Sequence, residues 1–283
     1  MKIEKVAILG AGTMGSGIAH VVAQSGYQVI IRDISQEFLD KGLKTIRKNL
    51  ERGLKKGRIT EEEIDTIMKR IQTTIDLENA VKDADLVIEA IPEKLELKLG
   101  TFNELNKFTK PEAILASNTS SISITKLASE TSKPDKVLGL HFFNPAPVMK
   151  LVEVIRGEKT SDETMNVAID FAKSLGKTPV RVKEFPGFIV NKVLITAINE
   201  AIDTYERGIA SAEDIDTAMK LGCNWPMGPL ELADYIGLDV VLDISKVLKE
   251  NIKDFNYRVP KILEELVSQG KLGRKTGEGF YKY

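Results

Sequence analysis

The sequence predicts an α/β chain: a doubly wound, mostly parallel sheet over residues 1–185, followed by a second, all-helical domain over 186–283. Three observations carry that expectation. Short apolar runs alternate with stretches of helical periodicity up to about residue 183, as strands joined by crossover helices do. The glycine pattern Gly10-Ala11-Gly12-Thr13-Met14-Gly15 stands directly behind the first apolar run. Pro186-Gly187 then marks a change of regime, past which the periodicity is helical nearly throughout.

Val6-Ala7-Ile8-Leu9 reads as the first strand, and Val29-Ile30-Ile31 as the second, closing on Asp33. Between them the glycine loop opens a helix. Gly10 allows the tight turn, Gly12 leaves room for a pyrophosphate, and Gly15 lets the helix pack close to the sheet. Unpaired N–H groups at the helix start, with the positive end of its dipole, suit a diphosphate. Gly10, Gly12, Thr13, Met14 and Gly15 are therefore the expected phosphate cradle. Asp33 can accept from a ribose 2′,3′-diol, which favours NAD over NADP, although Arg32 beside it leaves that preference open. Strand, glycine loop, helix, strand and acid in this order form the Rossmann-type fingerprint, so NAD is the expected cofactor.

Amphipathic stretches follow at 36–57 and 61–71, the second opened by a capping box of Thr60 and Glu63. Residues 85–90 read as a buried parallel strand ended by Pro92, 93–109 as a helix, and 113–116 as a strand leading into Ser117-Asn118-Thr119-Ser120-Ser121. The next strand, 137–140, runs into His141-Phe142-Phe143-Asn144-Pro145. Strand 151–155, helix 161–175 and strand 178–182 complete the first domain. Helical patterns then cover 188–207, 212–221, 228–236, 239–252 and 260–269, broken at Gly208, at 222–226 and at Gly237. The tail Gly277-Glu278-Gly279-Phe280-Tyr281 is too aromatic for a loose end and is expected to dock.

Composition removes several function classes. Lys and Arg total 40 against 41 acids, so no basic excess serves a nucleic acid. No apolar stretch approaches the roughly 20 residues that span a bilayer; the best candidate, 188–198, is broken by Asn191 and Lys192. Lys2 and Lys5 ahead of an apolar stretch imitate a signal peptide, but Glu4 and the fingerprint glycines argue for mature structure and a cytoplasmic protein. Cys223 is alone, which excludes an intrachain disulfide and a thiolate zinc site. With His20 and His141 the only histidines, no metal site is expected.

In open α/β sheets the ligand lies beyond the carboxyl ends of the strands. Asp33, Glu93, Asn118, Ser120, His141 and Asn144 all fall just past those ends. His141 is the natural acid–base group, against the alternative of a core histidine. His20 lies inside the first helix and reads as packing. Glu153, an acid between apolar neighbours, is either a surface residue of its strand or the acceptor that orients His141. Asn191 either caps the first helix of the second domain or binds a substrate oxygen, as Ser120 could from its own loop. Lys44, Lys48, Arg52 and Lys56 recur every four residues and form one basic face if the helix is continuous. That face is either solvated or an anchor for a phosphorylated handle such as coenzyme A.

At these residues the chain resembles the L-3-hydroxyacyl-CoA dehydrogenase family, in its short bacterial form. The likeness runs from Gly10 to the aromatic tail. Its most specific segments are Ser117-Asn118-Thr119-Ser120-Ser121, Gly139-Leu140-His141-Phe142-Phe143-Asn144-Pro145, Pro186-Gly187-Phe188-Ile189-Val190-Asn191 and Pro226-Met227-Gly228-Pro229. The resemblance implies His141 as catalytic base, Glu153 as its partner, and Ser120 and Asn191 at substrate oxygens. It implies cofactor contacts at Asp33, Glu93, Lys98, Ser120, Asn144 and Lys275, and a coenzyme A contact near Lys56; Asn118, by its place past a strand end, is expected at the cofactor as well, and Arg52, by its place in the basic row, at coenzyme A. Asn49 stands where some relatives carry a serine at a further such contact. A helical dimerisation module, hence a homodimer, and a stand-alone enzyme are implied as well. The implied reaction passes a hydride between NAD(H) and C3 of a short (3S)-3-hydroxyacyl-CoA, interconverting 3-hydroxybutyryl-CoA and acetoacetyl-CoA. Two alternatives are a dehydrogenase of free β-hydroxy acids and a non-catalytic NAD sensor. The free-acid enzymes use a Lys four residues before an Asn, and here Gly187 stands four before Asn191.

Overall fold

The structure, a computed structural model, describes residues 1–252 and 257–283. The described chain forms two compact units, Met1–Glu184 and Phe185–Tyr283.

The first unit opens with β1 (Lys5–Leu9), α1 (Thr13–Gln24), β2 (Gln28–Arg32), α2 (Gln36–Leu54), α3 (Glu61–Lys69), β3 (Ile71–Thr74), α4 (Leu77–Val81) and β4 (Leu86–Glu89). It continues with α5 (Leu95–Phe108), β5 (Ile114–Ser117), α6 (Ile124–Ala128), β6 (Val137–Phe142), β7 (Leu151–Arg156), α7 (Asp162–Ser174) and β8 (Thr178–Lys183). The strands form one sheet in the order β3-β2-β1-β4-β5-β6-β7-β8. The order reverses between β1 and β4, which sets the ligand crevice of a doubly wound sheet beside the glycine loop. Val6, Ile8, Val29, Ile31, Leu86 and Ile88 are fully buried, as strands covered by helices on both faces require. Each such side chain contributes about 1.5–3 kcal/mol of hydrophobic stabilisation.

One pairing departs from the parallel βαβ reading. β7 runs antiparallel to β6, with Gly139, Leu140, His141 and Phe142 opposite Ile155, Val154, Glu153 and Val152. A parallel return needs a crossover of a dozen or more residues, and only residues 143–150 separate the two strands. The glycine at position 139 belongs to the same packing. A Cβ there would come 2.9 Å from the Ile155 side chain and 3.1 Å from that of Ile124.

Smaller departures have local causes. The helical pattern at 61–71 overran β3, whose Ile-Gln-Thr-Thr offers no apolar run because it is an edge strand. The five-residue helices α4 and α6 are too short for a periodic signal. α2 ends at Leu54 rather than near 57, and the chain turns through Gly57 at φ +65°. The four-residue row therefore loses Lys56, which lies in the turn, while Lys44, Lys48 and Arg52 remain exposed on the helix.

The second unit comprises α8 (Val190–Glu206), α9 (Ala212–Gly222), α10 (Pro229–Ile236), α11 (Leu238–Asn251) and α12 (Lys261–Ser268). Ile198, Ile202, Leu230, Ala233, Leu238, Val241, Leu248 and Leu263 form its core. Two buried acids order its periphery. Asp216 accepts from the N–H groups of Leu230 (2.8 Å) and Glu231 (2.9 Å), capping α10, and from the Tyr281 hydroxyl (2.8 Å). Asp234 accepts from the N–H groups of Phe280 (3.0 Å) and Tyr281 (2.9 Å) and from the Tyr283 hydroxyl (3.1 Å). The aromatic tail is docked by these bonds. Gly279 is required there, since a Cβ would come 2.0 Å from Asp234 Oδ1.

Candidate active site

The glycine loop makes an open cradle. Gly10 holds φ +105°, and a Cβ on it would meet the Ala90 carbonyl oxygen at 2.6 Å. A Cβ on Gly15 would come 1.9 Å from the Gly10 carbonyl oxygen, so the helix can approach the turn only with glycine there. Nothing lies within 4 Å of a Cβ on Gly12, and no side chain caps α1. The first N–H groups of α1 have no acceptor within the helix and face this space, which fits a diphosphate. At the end of β2, Asp33 Oδ2 accepts from Ala11 N (2.6 Å) and Oδ1 from Ile34 N (2.6 Å). Those bonds fix the carboxylate beside the loop, where a ribose diol would meet it. The residues present fit NAD.

Beyond β4 and β5 lies a polar network that sequence reasoning only partly found. Glu89, the last residue of β4, is fully buried and accepts from Ser117 Oγ (2.7 Å), Ile91 N (2.8 Å) and Lys98 Nζ (2.6 Å). Glu93 accepts from Thr119 Oγ1, Ser120 N (2.9 Å) and Ser121 N (3.2 Å), and pairs with Lys98 at 3.2 Å. Burial pushes the Glu93 carboxyl up, but Lys98 and these donors outweigh it and hold it below the usual range. Lys98, expected as a cofactor contact, is 1 % exposed and sits beneath Glu93. The sequence assigns no role to Glu89, and it marks Ser117 only as part of a family-like segment. The one signal was an acid ending an otherwise apolar strand.

The strand pairing brings His141 and Glu153 together. They are directly opposed in the β6–β7 register, and His141 Nδ1 lies 2.7 Å from Glu153 Oε2. Glu153 is 1 % exposed, so it is no surface acid of its strand. The ring of Phe143 lies 4.5 Å from the His141 ring, centroid to centroid. Asn118 Oδ1 accepts from Phe142 N (2.8 Å), tying the loop after β5 to the strand that carries His141. Asn144 is exposed just beyond β6. His20 is buried, as expected of a packing residue, and its burial lowers its pKa to about 4.

The other expected residues lie in separate surroundings. Arg52 and Lys56 are exposed and Asn49 is half-buried, with Arg52 Nη1 donating to Asn49 Oδ1 at 3.4 Å. In the second unit, Asn191 stands in the first turn of α8, past the N-cap position held by Ile189. Gly187 and Phe188 both take positive φ in the turn before it, and a Cβ on Gly187 would strike Leu248 at 2.6 Å. Lys275 pairs with Asp239. Among the described residues no cluster of His, Cys, Asp and Glu suits a metal ion, and no helix is long and apolar enough to cross a membrane.

Sequence comparison places these features in one family. The 3-hydroxyacyl-CoA dehydrogenase NAD binding domain matches residues 5–185, and the C-terminal domain of the same family matches 187–283. The chain belongs to the 3-hydroxyacyl-CoA dehydrogenase family. It is an NAD-dependent oxidoreductase of that family. A probable 3-hydroxybutyryl-CoA dehydrogenase of Deinococcus radiodurans is 50 % identical over 279 residues, covering 99 % of this chain and 100 % of the relative. A second probable 3-hydroxybutyryl-CoA dehydrogenase, from Bacillus subtilis, is 48 % identical over 283 residues, covering 100 % and 98 %. The crystal structure of (S)-3-hydroxybutyryl-CoA dehydrogenase from Ralstonia eutropha superposes with a TM-score of 0.97 at 47 % identity, covering 100 % of this chain and 99 % of that one.

Proposed function

We propose that this dehydrogenase acts on short-chain (3S)-3-hydroxyacyl-CoA, interconverting 3-hydroxybutyryl-CoA and acetoacetyl-CoA, with His141 as the acid–base group. The observation that carries the reading is the buried His141–Glu153 pair at the ligand edge of the sheet. Glu153 accepts from Nδ1–H, which fixes the tautomer and stabilises the imidazolium once Nε2 takes a proton. His141 removes the proton of the 3-hydroxyl during oxidation and returns it during reduction. Bound NAD supplies the hydride acceptor. Ser120 and Asn191 donate to substrate oxygens that gain charge. Gly10, Gly12, Thr13, Met14 and Gly15 cradle the diphosphate of the cofactor. Asp33, Glu93, Lys98, Asn118, Ser120, Asn144 and Lys275 hold the rest of it, while Asn49, Arg52 and Lys56 bind the phosphates of coenzyme A. The same reading makes the enzyme a cytoplasmic homodimer. The strongly exposed Val193, Ile209, Leu221 and Tyr235 of the second unit support a subunit interface.

The test is loss of NADH absorbance with acetoacetyl-CoA, beside free acetoacetate and beside NADPH. Rapid oxidation confined to the CoA ester with NADH is expected. Oxidation with free acetoacetate alone would replace the CoA ester by a free acid as substrate.

A further inference from the structure

Lys177 stands half-buried in the turn between α7 and β8. Its ammonium donates to two main-chain carbonyl oxygens, Ala146 O at 2.6 Å and Met149 O at 2.8 Å. Among the described residues no carboxylate pairs with it, and burial holds its pKa below the usual lysine value. Taking an ammonium out of water is costly when no carboxylate compensates it, so stability alone is a weak reason for this clamp. What it clamps is the segment 143–150, the connection between the two strands that carry His141 and Glu153. Within that segment the N–H groups of Val148 and Met149 both donate to the Pro145 carbonyl oxygen (2.9 and 3.0 Å), closing a tight turn. On its other side the turn packs on α1. A Cβ on Gly17 would come 3.2 Å from Ala146 Cβ and 3.5 Å from Pro147 Cδ. The Ala146 side chain thus meets the helix of the glycine loop, and its carbonyl meets Lys177. The far end is tied by Thr178 N, next to Lys177, which donates to Lys150 O at 2.8 Å. Phe142–Val152 is the last pair of the β6–β7 register before the segment, and His141–Glu153 is the pair behind it.

We propose that Lys177 is a positioning residue for the reaction: by clamping Ala146 and Met149 it fixes the 143–150 segment against α1, and with it Asn144 and the strand ends that carry His141 and Glu153. It acts through the segment rather than by contact with substrate or cofactor. The inference rests on His141 as the acid–base group. Misplacing reacting groups by about 1 Å costs up to about 10² in rate, so a loosened segment shows in turnover before it shows in binding.

The experiment measures kcat and KM with acetoacetyl-CoA, the Kd of NADH and the melting temperature of Lys177→Met. kcat is expected to fall about tenfold, with KM and Kd changed no more than about twofold. An unchanged kcat, or a loss confined to NADH affinity, would overturn the proposal. Lys133→Met is the control for lost stability. Lys133 is half-buried too, and donates to Lys110 O (2.6 Å) and Thr109 Oγ1 (2.8 Å) at the end of α5, away from the segment. That variant is expected to melt lower and to keep the unaltered kcat. An equal fall of kcat in Lys133→Met would reduce Lys177 to a general stabiliser and overturn the proposal. Chemical rescue tests the ammonium itself. Lys177→Cys is made together with Cys223→Ser, which removes the exposed native thiol, and is then aminoethylated to restore an ammonium at nearly lysine length. Recovery of most of the lost kcat is expected, and a kcat that stays low on aminoethylation would overturn the proposal. Unaltered turnover in His141→Ala would strike the acid–base reading beneath it, an outcome distinct from failed rescue at position 177 in a chain that depends on His141.

Discussion

His141 and Glu153 face each other across the β6–β7 pair, one residue directly opposite the other, with Nδ1 2.7 Å from Oε2. Directly opposed residues of an antiparallel pair keep their Cβ atoms about 4.5–5.5 Å apart. The dyad is thus set by strand register, on backbone that is buried on both sides.

His141→Ala is expected to cut turnover by a factor on the order of 10² to 10⁴ with NADH affinity nearly unchanged. Glu153→Gln, which favours the wrong imidazole tautomer, should lower turnover by about 10² or more. Steady-state kinetics beside NADH titration separate the two effects. Wild-type turnover in His141→Ala would remove the residue from the mechanism.

Asp33 binds two backbone N–H groups as well as the expected ribose, so Asp33→Ala should weaken NADH by about tenfold or more, at about 1.5–3 kcal/mol for a charged hydrogen bond. NADPH should lose less. Equal losses for both cofactors would argue against diol recognition.

Lys56 lies in the turn after α2, fully available to a phosphate. An exposed charge pair is worth up to about 1 kcal/mol, so Lys56→Ala should raise KM for acetoacetyl-CoA up to about fivefold. A truncated pantetheine thioester should show no such rise. Equal changes for both esters would leave the basic residues as solvated surface.

His20 supplies a pH dependence of stability. Burial lowers its pKa from 6.5 to about 4, outweighing a hydrogen bond that the ring donates to Gln24, with Lys177 adding repulsion. Its Nδ1 has no hydrogen-bond partner among the described residues. Between those values the unfolded chain holds a proton that the folded chain lacks, so stability falls as pH drops from about 6.5 toward 4 and levels off below. The loss amounts to about 3 kcal/mol. His20→Gln should flatten this part of the profile. Urea unfolding at pH 7 and pH 5 measures it, and an unchanged difference between the two pH values would exclude His20 as the source.

The glycine loop, Asp33 and the capping box at Thr60 were legible in the sequence because each is a local arrangement, fixed by neighbours along the chain. β3 was not, since an edge strand of Ile-Gln-Thr-Thr has no apolar pattern and takes its shape from pairing with β2. Lys98 was legible as a functional position only through family resemblance. Its burial beneath Glu93 depends on Glu89, which no spacing rule connects to it.

The sequence by itself determined the sheet-forming runs, the nucleotide fingerprint, the change to helices after Pro186 and the chemical identity of His141 and Glu153. Tertiary structure decided which way β7 runs, and with it whether those two side chains meet. The physical reason lies in what the chain encodes locally. Hydrophobic periodicity specifies that a segment is a strand and which faces it buries. Direction and register follow from the reach of residues 143–150 and from packing of Ile155 over Gly139, which are settled only when distant segments come together.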